Sequence, residues 1–265
     1  KDINPWNISS SPSRLTVVNY NLFFVSNNEN GNELWVSDGT ENGTTLVKDI
    51  IPWSESSNPF NLTVVNENVF FFSQNSEVGV ELWVSDGTEN GTQLVKDINP
   101  GINPANIGDF TVLNDKLFFT ANNGQLGREL WVTDGTENGT QLVKDINPGK
   151  GTANIDNFLV FDDRLFFTNL NAQNQYQLWS SDGTSKGTHL IEAIGNIDDE
   201  PRFSNPPFGA YDFTVVEDSL FFFVEDDREY KLWQVESQNS QSMANDDQLN
   251  IFAGETVKLT ADLLA

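Results

Sequence analysis

Residues Glu33-Leu34-Trp35-Val36-Ser37-Asp38-Gly39-Thr40 decide the fold, because they come back. They return at 81–88 and, with Thr133 in the place of the serine, at 129–136; a worn copy fills 177–184. Trp35, Trp83, Trp131 and Trp179 stand 48 residues apart. A fifth copy keeps Lys231-Leu232-Trp233, its tryptophan 54 residues further on behind a longer connection. A fixed period of about 40–50 residues, built from short strands, is that of a propeller blade.

Working outward, each unit reads as four strands. In the third they are predicted at 110–113, 116–121, 129–133 and 141–146, parted by Asn114-Asp115, Asn122-Asn123-Gly124 and Asp134-Gly135-Thr136. The second strand carries adjacent phenylalanines: Phe23-Phe24, Phe70-Phe71-Phe72, Phe118-Phe119, Phe166-Phe167 and Phe221-Phe222-Phe223. Successive strand residues point to opposite faces, so adjacent phenylalanines require burial on both. A sheet sandwiched between two neighbours meets that requirement.

The chain opens Lys1-Asp2-Ile3-Asn4-Pro5, which repeats the unit ending Lys96-Asp97-Ile98-Asn99-Pro100. The last unit has three evident strands and no fourth. The expectation is therefore an all-β, five-bladed β-propeller over residues 1–236, closed by residues 1–3 completing the last blade against 230–235. Residues 237–265 are expected to form a polar linker and an extended β tail.

The repeat resembles the ELWxxDGT family of large multi-domain bacterial proteins, notably cyanobacterial and myxobacterial. Three copies carry the whole motif and the repeats span nearly the whole chain. The resemblance implies export or cell-surface display and supplies no agreed activity. Residues 245–265 are similar to the opening strands of bacterial cadherin-like, Ig-type repeats.

Composition excludes several chemistries. The net charge of −25 repels a phosphate backbone, so no nucleic-acid partner is expected. No apolar run is long enough to span a membrane. Cysteine is absent and His189 is the one histidine, so the usual nucleophilic triads and zinc sites have no parts. No catalytic residue is nominated, no cofactor is required, and the chain is expected not to be an enzyme.

Binding has better candidates. Trp6 and Trp53 stand at equivalent places in blade-to-blade connections, where the next two repeats have Gly101 and Gly149. Aromatic faces outside strands stack on sugars or anchor protein partners. Phe208, in Pro206-Pro207-Phe208 of the long fifth connection, joins them. Asp198-Asp199-Glu200 and Glu225-Asp226-Asp227 offer oxygen ligands for Ca²⁺, with solvated acidic loops as the plainer reading. Asp38, Asp86, Asp134 and Asp182 recur one per blade and read as turn caps. The function expected is an extracellular module recognising a glycan or protein through its variable loops. The alternative is a self-assembling subunit of an extracellular layer or filament that uses its C-terminal tail for contacts.

Overall fold

The computed structural model describes residues 1–5, 9–52, 55–149, 151–173, 175–196, 210–217, 219–226, 229–236 and 251–256. They form five separate four-stranded antiparallel sheets, each ordered as the chain runs. The first holds β1 (Ser13–Val18), β2 (Asn21–Asn28), β3 (Gly31–Ser37) and β4 (Thr45–Lys48). The second holds β5 (Phe60–Val65), β6 (Asn68–Asn75), β7 (Gly79–Ser85) and β8 (Gln93–Lys96). The third is β9 (Gly108–Leu113), β10 (Lys116–Asn122), β11 (Arg128–Thr133) and β12 (Gln141–Lys144). The fourth is β13 (Ile155–Phe161), β14 (Arg164–Leu170), β15 (Gln175–Ser181) and β16 (His189–Asn196). The fifth is β17 (Ala210–Val216), β18 (Ser219–Asp226), β19 (Glu229–Glu236) and β20 (Ile251–Thr256).

The chain divides into two compact units, Lys1–Leu142 and Val143–Ala265. In the first unit, the phenylalanine runs divide between two cores. Phe71 lies in a cluster with Val18, Phe23, Leu34 and Val36 of the first sheet. Its neighbours Phe70 and Phe72 point the other way, into a cluster with Leu117, Phe119 and Trp131 of the third. The Phe72 and Phe110 rings meet with centroids 4.4 Å apart. Burial on both faces is thus met by a sheet on either side. In the second unit, Phe166 and Leu178 of the fourth sheet share a cluster with Leu220, Phe222 and Val235 of the fifth.

The predicted closure is overturned. Lys1-Asp2-Ile3 forms no strand, and no sheet is closed by the N-terminus. The free edge of β19 is taken by β20, with Val235 opposite Ile251 and Trp233 opposite Ala253. One edge accepts one strand, and the six residues of β20 offer a longer ladder than three N-terminal residues do. The segment Ile251–Thr256 is therefore the fourth strand of the last sheet. A five-bladed ring closed by the N-terminus is not the fold. Lys1 keeps one habit of its repeat position: its Nζ donates to the Thr44 carbonyl at 2.8 Å, as Lys48 does to Thr92 at 2.8 Å.

Candidate functional site

The recurring Asp-Gly-Thr turn is a closed set of local hydrogen bonds. In the third sheet, Asp134 Oδ1 accepts from the Thr136 amide at 2.9 Å and the Thr136 hydroxyl at 2.7 Å. The same hydroxyl oxygen accepts from the Gly139 amide at 2.9 Å, and Thr140 Oγ1 donates to the Thr136 carbonyl at 2.7 Å. A Cβ on Gly139 would sit 1.9 Å from Asp134 Oδ1, which is why glycine stands there. Hydrogen bonds from the threonine hydroxyl, then its amide, hold the Asp134 carboxyl below its ordinary value; Asp38 is held down in the same way by Thr40. Asp86 and Asp182 make the matching bonds to Thr88 and Thr184. Every acceptor site on Oδ1 is spent on the turn itself. Replacing Asp134 by alanine should cost about 1 kcal/mol in urea unfolding through these lost bonds and leave partner binding unchanged. Loss of binding at full stability would make Asp134 a contact residue.

Each turn is also tied to the sheet before it. Lys96 Nζ donates to the Thr140 carbonyl at 2.9 Å, and Lys144 Nζ to that of Thr188 at 2.6 Å. The lysine ending one sheet thus satisfies a carbonyl orphaned by the turn of the next.

A set of buried carboxyl groups escaped the sequence reading. Glu33, Glu81 and Glu129, the first residue of each full motif copy, have no solvent exposure. Glu33 Oε1 accepts from the Ser57 amide at 2.7 Å, and Oε2 from the Ser57 hydroxyl. Glu81 Oε2 accepts from the Ile98 amide at 3.1 Å. Glu33 and Glu81 therefore grip the connections leading to the second and third sheets. Burial pushes Glu33 from 4.5 to about 7, with the Asp49 charge adding to the rise. Burial pushes Glu81 to about 8, with Asp97 adding likewise. The signal available in the sequence was the glutamate's recurrence beside an equally recurrent aspartate.

The ligand candidates Trp6, Trp53 and Phe208 lie outside the described residues, as do Asp198, Asp199, Glu200 and Asp227. Glu225 and Asp226 fall in β18, and their side chains lie outside the description. Among the described residues, no group of three or more His, Cys, Asp or Glu could hold a metal ion, and no helix is long and apolar enough to cross a membrane.

One apolar surface stands out instead. Leu15 and Val17, alternate residues on one face of β1, are 65% and 66% exposed. Their counterparts in the second sheet, Leu62 and Val64, lie packed against the core of the first. Tyr20, in the turn after β1, is 98% exposed. At the other end, Val216 is 52% exposed, whereas Val18, Val65, Leu113 and Phe161 at its position are buried.

No family model matches the chain, and no curated protein matches it. Among solved structures, one from a study of two prolyl endopeptidases, on inter-domain dynamics in catalysis and specificity, aligns with a TM-score of 0.52 and 8% identity. The alignment covers 93% of this chain and 36% of that one. Oligopeptidase B from Leishmania major aligns with a TM-score of 0.49 and 13% identity, over 94% of this chain and 34% of its own. The chain spans about a third of the length of these structures. The fold is thus a β-rich one similar to propeller domains, and the expected ring closed by the N-terminal strand is not seen among its five separate sheets. The expectation that the chain is not an enzyme is also withdrawn. The matched chains are enzymes, so an all-β repeat of this kind is no argument against belonging to one. At 8% identity the likeness shows the fold, and no peptidase residue is carried across.

Proposed function

We propose that this chain is a protein-interaction module that assembles with copies of itself, displayed outside the cell as the ELWxxDGT resemblance implies. The observation that carries the reading is the bare face of β1. Leu15 and Val17 lie exposed where Leu62 and Val64 are covered by the preceding sheet. Val216, at the opposite end of the repeat series, is bare where its equivalents are buried. The packing that joins the first sheet to the second inside one chain would be repeated by the last sheet of one copy against the first sheet of another. Such a head-to-tail contact is heterologous and propagates unless it closes. Contiguous apolar surface of this kind marks interaction sites on soluble proteins.

The test is light scattering on the whole chain across a concentration series, with Leu15→Asp/Val17→Lys beside it. Concentration-dependent growth that the double variant abolishes, at unchanged circular dichroism, supports the reading. A monomer at every concentration, or a variant that assembles as well as the parent, overturns it.

A further inference from the structure

We infer that Glu81 and Asp97 share one proton, held between Glu81 Oε1 and Asp97 Oδ1, which fastens the connection between the second and third sheets. This stands apart from the assembly reading and rests on three observations. The first is an accounting of polar atoms. Glu81 is fully buried and its Oε1 lacks a hydrogen-bond partner; Asp97 Oδ1 is equally buried and also lacks one. Leu82 pairs with Lys96 across the sheet, which sets Glu81 and Asp97 at the adjoining cross-strand position; two acceptor oxygens there cannot satisfy each other while both groups are ionised, and buried unpaired charge is expensive. A single proton on Glu81 Oε1, donated to Asp97 Oδ1, satisfies both and removes one charge.

The second observation is internal to the repeat. Glu33 with Asp49, Glu81 with Asp97, and Glu129 with Asp145 occur at one spacing. In the fourth repeat both members change together, to Gln177 and Ala193. The aspartate is dropped where the glutamate is replaced by its neutral isostere.

The third is the surroundings. Glu81 Oε2 accepts from the Ile98 amide, and the amides of Asn99 and Ala105 pull against the rise without cancelling it. Amide donors disfavour a cation, and two carboxylates fall short of the six to eight oxygens that Ca²⁺ takes. Across the sheet, Glu81 faces Ser73 of β6, which does not titrate in this range. Lys96, beside Asp97, is turned away to the Thr140 and Glu137 carbonyls. Glu77, in the turn before β7, is exposed, and residues 98–107 of the connection contain no titratable group. Asp109 of β9 is committed to Arg128. The first sheet supplies a comparison: Ser57 gives Glu33 a hydroxyl donor where Glu81 meets Ala105, and Glu33 rises only to about 7 against about 8.

The proton matters to the connection as a unit. Ala105 donates its amide to the Val80 carbonyl at 3.3 Å and accepts from the Asn122 amide at 2.7 Å, bridging β7 to β10. Glu81 holds the start of the same segment at Ile98. Between pH 4.5 and about 8 the unfolded chain has released this proton while the folded chain keeps it. The stabilisation is therefore complete below 4.5 and is lost as pH rises through about 8.

The experiment is urea unfolding of the whole chain from pH 5 to 9, for the parent, Glu81→Gln and Ala105→Ser. In the parent the unfolding constant should rise with pH, by up to about tenfold per pH unit for each retained proton. Glu81→Gln, which carries the donor permanently, should flatten the rise above pH 7 and leave the variant more stable than the parent at pH 8.5. Ala105→Ser, which supplies the hydroxyl that Glu33 enjoys, should move the step down by about one pH unit. A Glu81→Gln profile parallel to the parent's overturns the inference. If Glu81→Gln does not fold, an unmoved step in Ala105→Ser overturns it alone. A midpoint at pH 8.5 raised by CaCl₂ and reversed by EDTA would assign the orphaned oxygens to a cation and overturn it equally.

Discussion

Replacement of Phe72 by alanine is expected to lower the unfolding free energy by about 3–5 kcal/mol. The side chain is fully buried, in the middle of the core between the second and third sheets. Its ring meets Phe60 at 5.1 Å and Phe110 at 4.4 Å, so it bridges its own sheet to the next. Flanking strands are fixed by their own ladders and cannot collapse into the space, which adds a cavity cost to the lost transfer free energy. The urea midpoint measures this, and Phe72→Leu should fall between parent and alanine variant. A loss below about 1 kcal/mol would mean that the two sheets do not depend on this contact.

Removing residues 237–265 is expected to cost several kcal/mol, above the roughly 0.5–3 kcal/mol of most single substitutions. The deletion takes away β20 and strips the outer edge of β19, whose backbone ladder runs from Val235 to Lys231. Exposed ladder groups invite pairing with other chains, so the truncated protein should also aggregate through that edge. The readouts are the melting temperature and static light scattering during refolding. Full stability without residues 237–265 would show that β20 adds nothing to the sheet it joins. From the sequence this segment could pair with the chain's own sheets or with a neighbouring molecule. Its partner is the neighbouring strand of its own chain.

What the sequence made legible follows from how local each signal is. Phe23-Phe24 and its repeats state two-sided burial in adjacent residues, and the Asp-Gly-Thr turns state where one strand stops. The strands expected in the third unit lie where β9 to β12 are found, apart from the last. That strand ends at Lys144, because Asp145-Ile146 already belongs to the connection. Edge occupancy is not local. Lys1-Asp2-Ile3 and Ile251–Thr256 both have strand-like composition, and only the three-dimensional ladder decides which one pairs. The buried glutamates were hidden for a related reason. Glu33 precedes Leu34-Trp35 in a strand and reads as an ordinary polar residue. Its burial comes from the segment around Ser57, 24 residues away, folding across it.

The lysine ties and the glutamate grips share a property that concerns how such a chain can lengthen. Each 48-residue unit in the first two sheets carries both halves of its junctions. It has a turn that receives the preceding lysine, and a lysine and a glutamate that secure the unit to come. A copied stretch of gene spanning one period would bring a complete donor and a complete acceptor with it. It could be inserted between two existing units without any compensating mutation elsewhere. The fourth unit keeps the receiving turn and has Gln177 and Ala193 where the others have Glu and Asp. Duplication is thus self-contained for each of the first two units.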